Sequence, residues 1–373
     1  MKILHFITSL GSGGAEGMLY RLIKSSDRSV QHCVICLNKG GKYVDFLKRL
    51  EVDVLVVNLK FISSINGLLK IYNFSRSKKK QGFSIITSWL HHADLISWFI
   101  KIICGYDGLV WNIRNTKLQR SNFSLKNWLM LKTLSLMSYV GVNKIISCSE
   151  NAGAFHKKLG YKKDYFPIIP NGYFIDSSLK LNNSIKKFEG IYKILIVARW
   201  HPMKDFENLF QALDLFKYSK INFHLTIAGH NTGSDNQELT KLIQKYSMTE
   251  LCTLLGEVKN IDNIYMKSHV TVLSSAYGEA FPNVLAESMM NYTPCISTDV
   301  GDAAEILSNI GFVVPIGDFK ALTDALIKFY QLLVNNNDIY LDKCLKGYDR
   351  VLNNYNIYRI SELYYNVWNE IKV

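Results

Sequence analysis

The stretch Ser274–Asn291, SSAYGEAFPNVLAESMMN, decides how the chain is read. Glu279 and Glu287 stand eight residues apart, a little over two helical turns. Pro282 has no amide hydrogen and disfavours helix in the residue before it, so Glu279-Ala280-Phe281-Pro282 reads as a loop. From Asn283 the run NVLAESMM contains good helix formers and no breaker, with Pro282 near the first turn, where its missing donor costs nothing. Glu279 is then a loop acid and Glu287 a helix acid, and the first-turn amides of Asn283 and Val284 offer donors to a phosphate or a polyhydroxylated ring. Sugar hydroxyls favour fixed, charged acceptors, each such bond being worth about 1.5–3 kcal/mol. A surface loop leading into an amphipathic helix would account for two glutamates at this spacing, but not for a Phe-Pro at the junction.

Around this stretch, runs of strand and helix alternate twice. Lys2–Ser9 is extended and apolar, and leads through Gly11-Ser12-Gly13-Gly14-Ala15-Glu16 into a helical pattern. Strand-like runs recur at Val52–Val57, Ser84–Thr87, Leu109–Ile113 and Lys144–Cys148, and Ile168–Gly172 reads as the last strand and turn of this half. After a polar hinge over Ser177–Lys187 the alternation restarts at Tyr192–Ala198. It continues through Phe223–Ala228, Cys252–Leu255, Val270–Leu273 and Cys295–Thr298. Alternation of this kind predicts two α/β domains with mostly parallel sheets, whose ligands bind beyond the carboxyl ends of the strands. The expected domains are 1–180 and 188–355, followed by a C-terminal segment over 356–373.

The charge is uneven. Of 44 Lys and Arg and 31 Asp and Glu, residues 1–180 hold 26 basic and 10 acidic, so the first half is strongly basic and the second close to neutral. A basic domain faces something anionic: nucleic acid, an anionic leaflet or a diphosphate-linked substrate. No nucleic-acid module is recognisable, although Lys78–Lys80 and Lys162-Lys163 are basic runs. Phe123–Tyr139, with Lys126 and Lys132, suits either a buried helix or one lying on a bilayer. Neither a signal peptide nor a membrane-spanning run is visible, and the seven cysteines form no framework. Cys33 and Cys36 fall within the strand-like HCVICL, so they read as core residues rather than a redox pair.

Further chemistry sits at other strand ends. Arg199 and Lys204 flank the Pro202 turn just before a helix, where two fixed cations suit a departing diphosphate. In Ser88-Trp89-Leu90-His91-His92-Ala93-Asp94 a histidine is placed to bond a substrate hydroxyl or move a proton, whereas a zinc pair is disfavoured because adjacent helical residues diverge. Arg114 ends the next strand as a further anion contact. The chain has no D-x-D, so a metal-independent site with no cofactor is expected.

Together these pieces resemble the family-4 retaining glycosyltransferases of the GT-B fold. The resemblance spans GSGGAE at 11–16, SWLHHAD at 88–94, IRN at 113–115, PNG at 170–172, VARWHPMKDFENL at 197–209, GEAFPNVLAESM at 278–289 and DVGDAAEIL at 299–307. Within that family the chain looks most like bacterial O-antigen and capsule repeat-unit enzymes. The resemblance implies two Rossmann-like α/β domains facing across a cleft, with the C-terminal helix, about Ser361–Lys372, crossing back to the first. It implies that Gly13 and Gly14 approach a nucleotide-sugar, UDP-linked, by their backbone, and that His92, with His91 as second choice, serves the reacting centre. Arg199 and Lys204 would bind the diphosphate, Glu279 the donor sugar, and Glu287 the ribose. Phe281, Pro282, Asn283 and Val284 would present the helix-start amides, with His91, Asp94 and Arg114 on the acceptor side. The implied reaction is hexosyl or N-acetylhexosaminyl transfer to an undecaprenyl-diphosphate-linked glycan, with the enzyme cytoplasmic and peripheral at the inner face of the bacterial membrane. One departure is Gly17-Met18, where the family often has a basic residue after G-G-A-E. The alternatives are a nucleotide-sugar epimerase, a pyridoxal-dependent phosphorylase, for which no motif is seen, and a non-enzymatic basic protein binding membrane or nucleic acid.

Overall fold

The computed structural model describes residues 1–59, 65–116, 125–162, 164, 166–176, 178, 181 and 188–371. The chain divides into two compact units, one of Met1–Phe174 with Tyr355–Val373 and one of Ile175–Asn354. The first therefore ends before the expected residue 180 and the second begins before 188. The hinge expected over Ser177–Lys187 lies almost wholly outside the described residues, as do Phe123 and Lys163.

In the first unit β1 (Lys2–Ile7), α1 (Gly14–Lys24), β2 (Gln31–Cys36), α2 (Lys42–Lys48), β3 (Asp53–Val56) and α3 (Ile65–Lys80) are followed by β4 (Ile85–Trp89), α4 (His91–Cys104), β5 (Gly108–Ile113), α5 (Leu125–Met137), β6 (Lys144–Ser147) and α6 (Glu150–Lys158). The six strands are parallel in the order β3-β2-β1-β4-β5-β6. Central strands of such a sheet are covered on both faces, which is why β1 and β5 read as apolar runs, interrupted inside only by the buried His5 and Asn112, rather than as alternating ones. Ile168–Gly172 is not a strand: only a single bridge joins Ile168 to Ser147. Pro167 and Pro170 bracket it, and without their amide donors a ladder cannot propagate. Cys33 and Cys36 are buried in β2, where burial pushes both thiols up, that of Cys36 to about 11, so neither is poised for redox chemistry.

The second unit repeats the plan with β7 (Tyr192–Val197), α7 (Phe206–Phe216), β8 (Phe223–Ala228), α8 (Gln237–Lys245), β9 (Cys252–Gly256), α9 (Asp262–Lys267) and β10 (Val270–Leu273). It continues through α10 (Asn283–Met290), β11 (Cys295–Thr298), α11 (Ala303–Leu307), β12 (Phe312–Val314), α12 (Phe319–Asn335) and α13 (Asn337–Asn354). Its parallel order is β12-β11-β10-β7-β8-β9. The three-residue β12 carries too little pattern to be read from sequence.

The chain ends in α14 (Ile357–Asn369), which starts four residues before the expected Ser361 because Asn356 caps it through Tyr358 N at 3.0 Å. α14 packs on the first unit. Trp368 Nε1 donates to Thr87 Oγ1 at 2.9 Å, the Ser361 and Ser25 hydroxyls lie 2.5 Å apart, and Lys144 pairs with Glu370 at 2.7 Å. Gly172 is wedged beside this helix, since a Cβ there would meet Ile357 Cδ1 at 2.7 Å.

In each sheet the chain winds outward from its first strand and then returns to that strand's other side. The switch falls between β1 and β4 in one unit and between β7 and β10 in the other. The loops leaving two such strands diverge, and the crevice between them is where open α/β sheets hold ligands.

Candidate active site

In the second unit both halves of the predicted constellation leave strands at the switch point. β7 delivers Arg199-Trp200-His201-Pro202-Met203-Lys204, and β10 delivers the Glu279 loop. His201 ties the first turn together, its Nδ1 accepting from Met203 N at 3.2 Å and its carbonyl from Lys204 N at 2.9 Å. Asp205 follows at φ +45° and caps α7 through Asn208 N at 3.2 Å. The two segments are stitched together by Ala276 N donating to Met203 O at 2.8 Å and Ser274 Oγ to Lys204 O at 2.7 Å.

At this junction Lys204 Nζ lies 2.5 Å from Glu279 Oε1, which also accepts from Ser275 Oγ at 2.9 Å. The side chains of Lys204 and Glu279 are only 15% and 12% exposed, so the pair is weakly screened. Arg199 is exposed, its Nη2 3.5 Å from Met203 Sδ. Gly278 takes φ +79° beneath the Met203 methyl, and Gly301, at φ +55°, lies against the Glu279 loop. A Cβ on Gly301 would meet Ala280 O at 2.5 Å and Glu279 O at 2.7 Å, so this glycine of the D-V-G-D motif lets two backbones touch. Asp302 N then donates to Ala280 O at 3.0 Å.

Pro282 is the N-cap of α10 and supplies no side-chain cap to its first turn. Phe281 and Val284 are buried, while Asn283 is half-buried at the first helical position. Glu287 is half-buried about one turn further along, with Tyr265 Oη 3.4 Å from its Oε2.

The first unit mirrors this layout. After β1, Gly13 and Gly14 are exposed at the start of α1. Buried Glu16 folds back, accepting from Ser9 Oγ at 2.7 Å, and a Cβ on Gly13 would meet its Oε2 at 2.4 Å. The glycine thus makes room for the motif's own acid. After β4, Leu90 adopts φ +74°, ψ 153°, a strained conformation for a non-glycine costing about 1–3 kcal/mol and characteristic of functional loops. It directs His91 inward, where Nδ1 lies 3.7 Å from Asp94 Oδ2, and Asp94 Oδ1 accepts from Ser88 Oγ at 2.5 Å. Burial raises the Asp94 carboxyl above the usual range. His92 is exposed, and desolvation followed by the neighbouring His91 holds its imidazole below its ordinary value. Both histidines line a cavity of about 250 Å³ with Asn115 of the I-R-N motif and with Thr8 and His156, residues that no motif had singled out.

Arg114 points inward. Its guanidinium stacks 4.8 Å from the Trp89 ring and donates to Asn171 Oδ1 and Tyr364 Oη, so it braces β5 against α14. Lys78 likewise is not a free cation, being buried against Asp53, and Lys79 pairs with Asp107 at 2.9 Å.

Residues 178–337 match the family described as Glycosyl transferases group 1. EpsF of Bacillus subtilis (strain 168), named as a glycosyltransferase, is 26% identical over 316 residues, 80% of this chain and 79% of its own. AmsD of Erwinia amylovora, an amylovoran biosynthesis glycosyltransferase, is 31% identical over 163 residues, 41% of this chain and 45% of its own. Anabaena Alr3699/HepE, solved with UDP-glucose, superposes with a TM-score of 0.82 at 16% identity, covering 99% of this chain and 100% of that one.

Two six-stranded parallel sheets with this winding define the GT-B fold, and this chain shares it with the Anabaena protein. Its second unit is a group 1 glycosyl transferase domain, in keeping with the family-4 resemblance of its motifs.

Proposed function

We propose that this glycosyltransferase moves a hexosyl or N-acetylhexosaminyl group, with retention, from a UDP-linked sugar to a lipid-linked glycan of a bacterial surface polysaccharide. The observation that carries the donor reading is the Lys204–Glu279 pair at the switch point, with Arg199 on the same turn. An ammonium fixed by a carboxylate keeps donors for a diphosphate, and that carboxylate keeps acceptors for sugar hydroxyls. Glu287, on the helix that follows, is assigned the ribose.

In the step proposed, the bond from the sugar's anomeric carbon to the diphosphate oxygen breaks. The acceptor oxygen bonds that carbon on the same face, and its proton passes to the departing diphosphate. Arg199 and Lys204 stabilise the charge developing on that group without a metal, and His92 orients the acceptor hydroxyl.

The named relatives support a role in exopolysaccharide synthesis, and the UDP-glucose of the Anabaena protein supports the donor class. A lipid-linked acceptor places the enzyme at the inner face of the cytoplasmic membrane. The deciding experiment combines a thermal-shift screen of nucleotide-sugars with a transfer assay. Donor at 100 times its dissociation constant adds about 2.7 kcal/mol of stability. Sugar and nucleotide released without any acceptor would favour the epimerase reading instead.

A further inference from the structure

Helices α3, α4 and α5 carry a surface that sugar transfer does not use. Large apolar side chains exposed among the described residues number twenty-six, and twelve fall between Ile65 and Val140, so exposure is concentrated on these helices and the turn after α5. α4 packs between α3 and α5, making the three one face. Ile65 and Leu69 of α3, 73% and 52% exposed, and Phe99 and Ile103 of α4, 50% and 63% exposed, line an apolar groove of about 420 Å³. Trp98 Nε1 donates to Val140 O at 2.6 Å, joining α4 to the turn where Tyr139 and Val140 are exposed.

The charge on this face has one sign. Neither α3 nor α5 contains an acidic residue, and the single acid of α4, Asp94, is buried. Lys70, Arg76, Lys80 and Lys126 are all exposed. Asp53 and Asp107, exposed beside the end of α3, are each already paired with one of its lysines. A face whose helices carry exposed apolar side chains and cations but no exposed carboxylate of their own suits the headgroup and acyl boundary of an anionic bilayer. Two copies of it brought together would set these cations against one another.

We propose that the α3–α4–α5 face docks on an anionic lipid surface, with the α3–α4 groove seated at the acyl boundary. The proposal rests on the reading of a lipid-linked acceptor and names the surface that meets the lipid.

The test is flotation of the full chain with phosphatidylcholine vesicles with and without phosphatidylglycerol. Wild type should float only with the anionic vesicles and detach as salt is raised. The triple variant Leu69→Glu/Phe99→Glu/Ile103→Glu should bind at least about tenfold more weakly. Lys70→Ala/Lys126→Ala should weaken anionic selectivity, while Leu215→Glu/Tyr218→Glu, on the second unit, should float like wild type. Thermal melting and transfer to a water-soluble acceptor establish that each variant is folded. A triple variant that floats like wild type overturns the surface assignment and leaves the reaction standing. Wild type that never floats overturns it together with the membrane location, while the transfer assay still judges the reaction. A triple variant that changes oligomeric state but floats unchanged makes the face a self-association surface and overturns the proposal.

Discussion

Lys204 Nζ sits 2.5 Å from Glu279 Oε1 although the two residues are 75 positions apart, because β7 and β10 are neighbours at the point where the chain reverses its winding. Neither side chain has much water around it. Removing the ammonium therefore leaves a carboxylate partly desolvated, with Ser275 still donating to it. Lys204→Ala should lower kcat/KM by about 100- to 1,000-fold, the usual loss when a donor to developing charge is removed. Initial rates at subsaturating donor check this, and a loss within about threefold, under 1 kcal/mol, would take Lys204 out of the site. The accompanying loss of stability should be smaller, about 1–3 kcal/mol by urea unfolding.

Gly301→Ala tests how the Glu279 loop is held. The left-handed conformation alone costs an alanine about 1–2 kcal/mol, and the new methyl would press on the carbonyls of Glu279 and Ala280. The variant should lose both stability and transfer, whereas Gly317→Ala, also left-handed but with nothing within 4 Å, should lose stability alone. Urea unfolding paired with rate measurements separates the two.

Glu287→Ala should weaken donor binding with little effect on folding, since Glu287 is half-buried and Tyr265 is 3.4 Å away. One charged hydrogen bond to a ribose hydroxyl is worth about 1.5–3 kcal/mol, a 10- to 150-fold rise in dissociation constant. Calorimetric titration with UDP reads it. An unchanged constant would detach Glu287 from the nucleotide.

Acid should destabilise the first unit before carboxylates titrate. His5 and His156 are buried and His32 is half-buried, and desolvation, the largest cause for each, lowers all three imidazoles, those of His32 and His156 to about 3. Their folded values lie below their unfolded ones. The stability they contribute is complete above the ordinary histidine value and is lost as pH falls from there toward about 3, because only the unfolded chain takes up the protons. Each such histidine adds a slope of about 1.4 kcal/mol per pH unit in that window. His156→Gln should flatten the dependence of unfolding free energy on pH by about one such increment. An unchanged slope would mean that His156 is protonated in the folded state.

Much of the fold was legible because its signals are local. Strands buried on both faces read as apolar runs, glycine turns punctuate them, and Pro282 breaks the helix so that Glu279 falls on a loop and Glu287 on α10. The two α/β repeats, and the positions of Arg199, Lys204, Glu279 and both histidines after strands, follow from such local signals. Which of these groups meet became visible only in the folded chain. Arg114 read as an anion contact, but Tyr364, 250 residues away, draws it inward. His156 entered the cavity beside His91 with no motif to announce it, and Gly301 proved to be the surface on which the Glu279 loop rests. Propensity and periodicity act over a turn or two of chain, whereas pairings of this kind depend on strand order, which is set by how the whole sheet buries its faces.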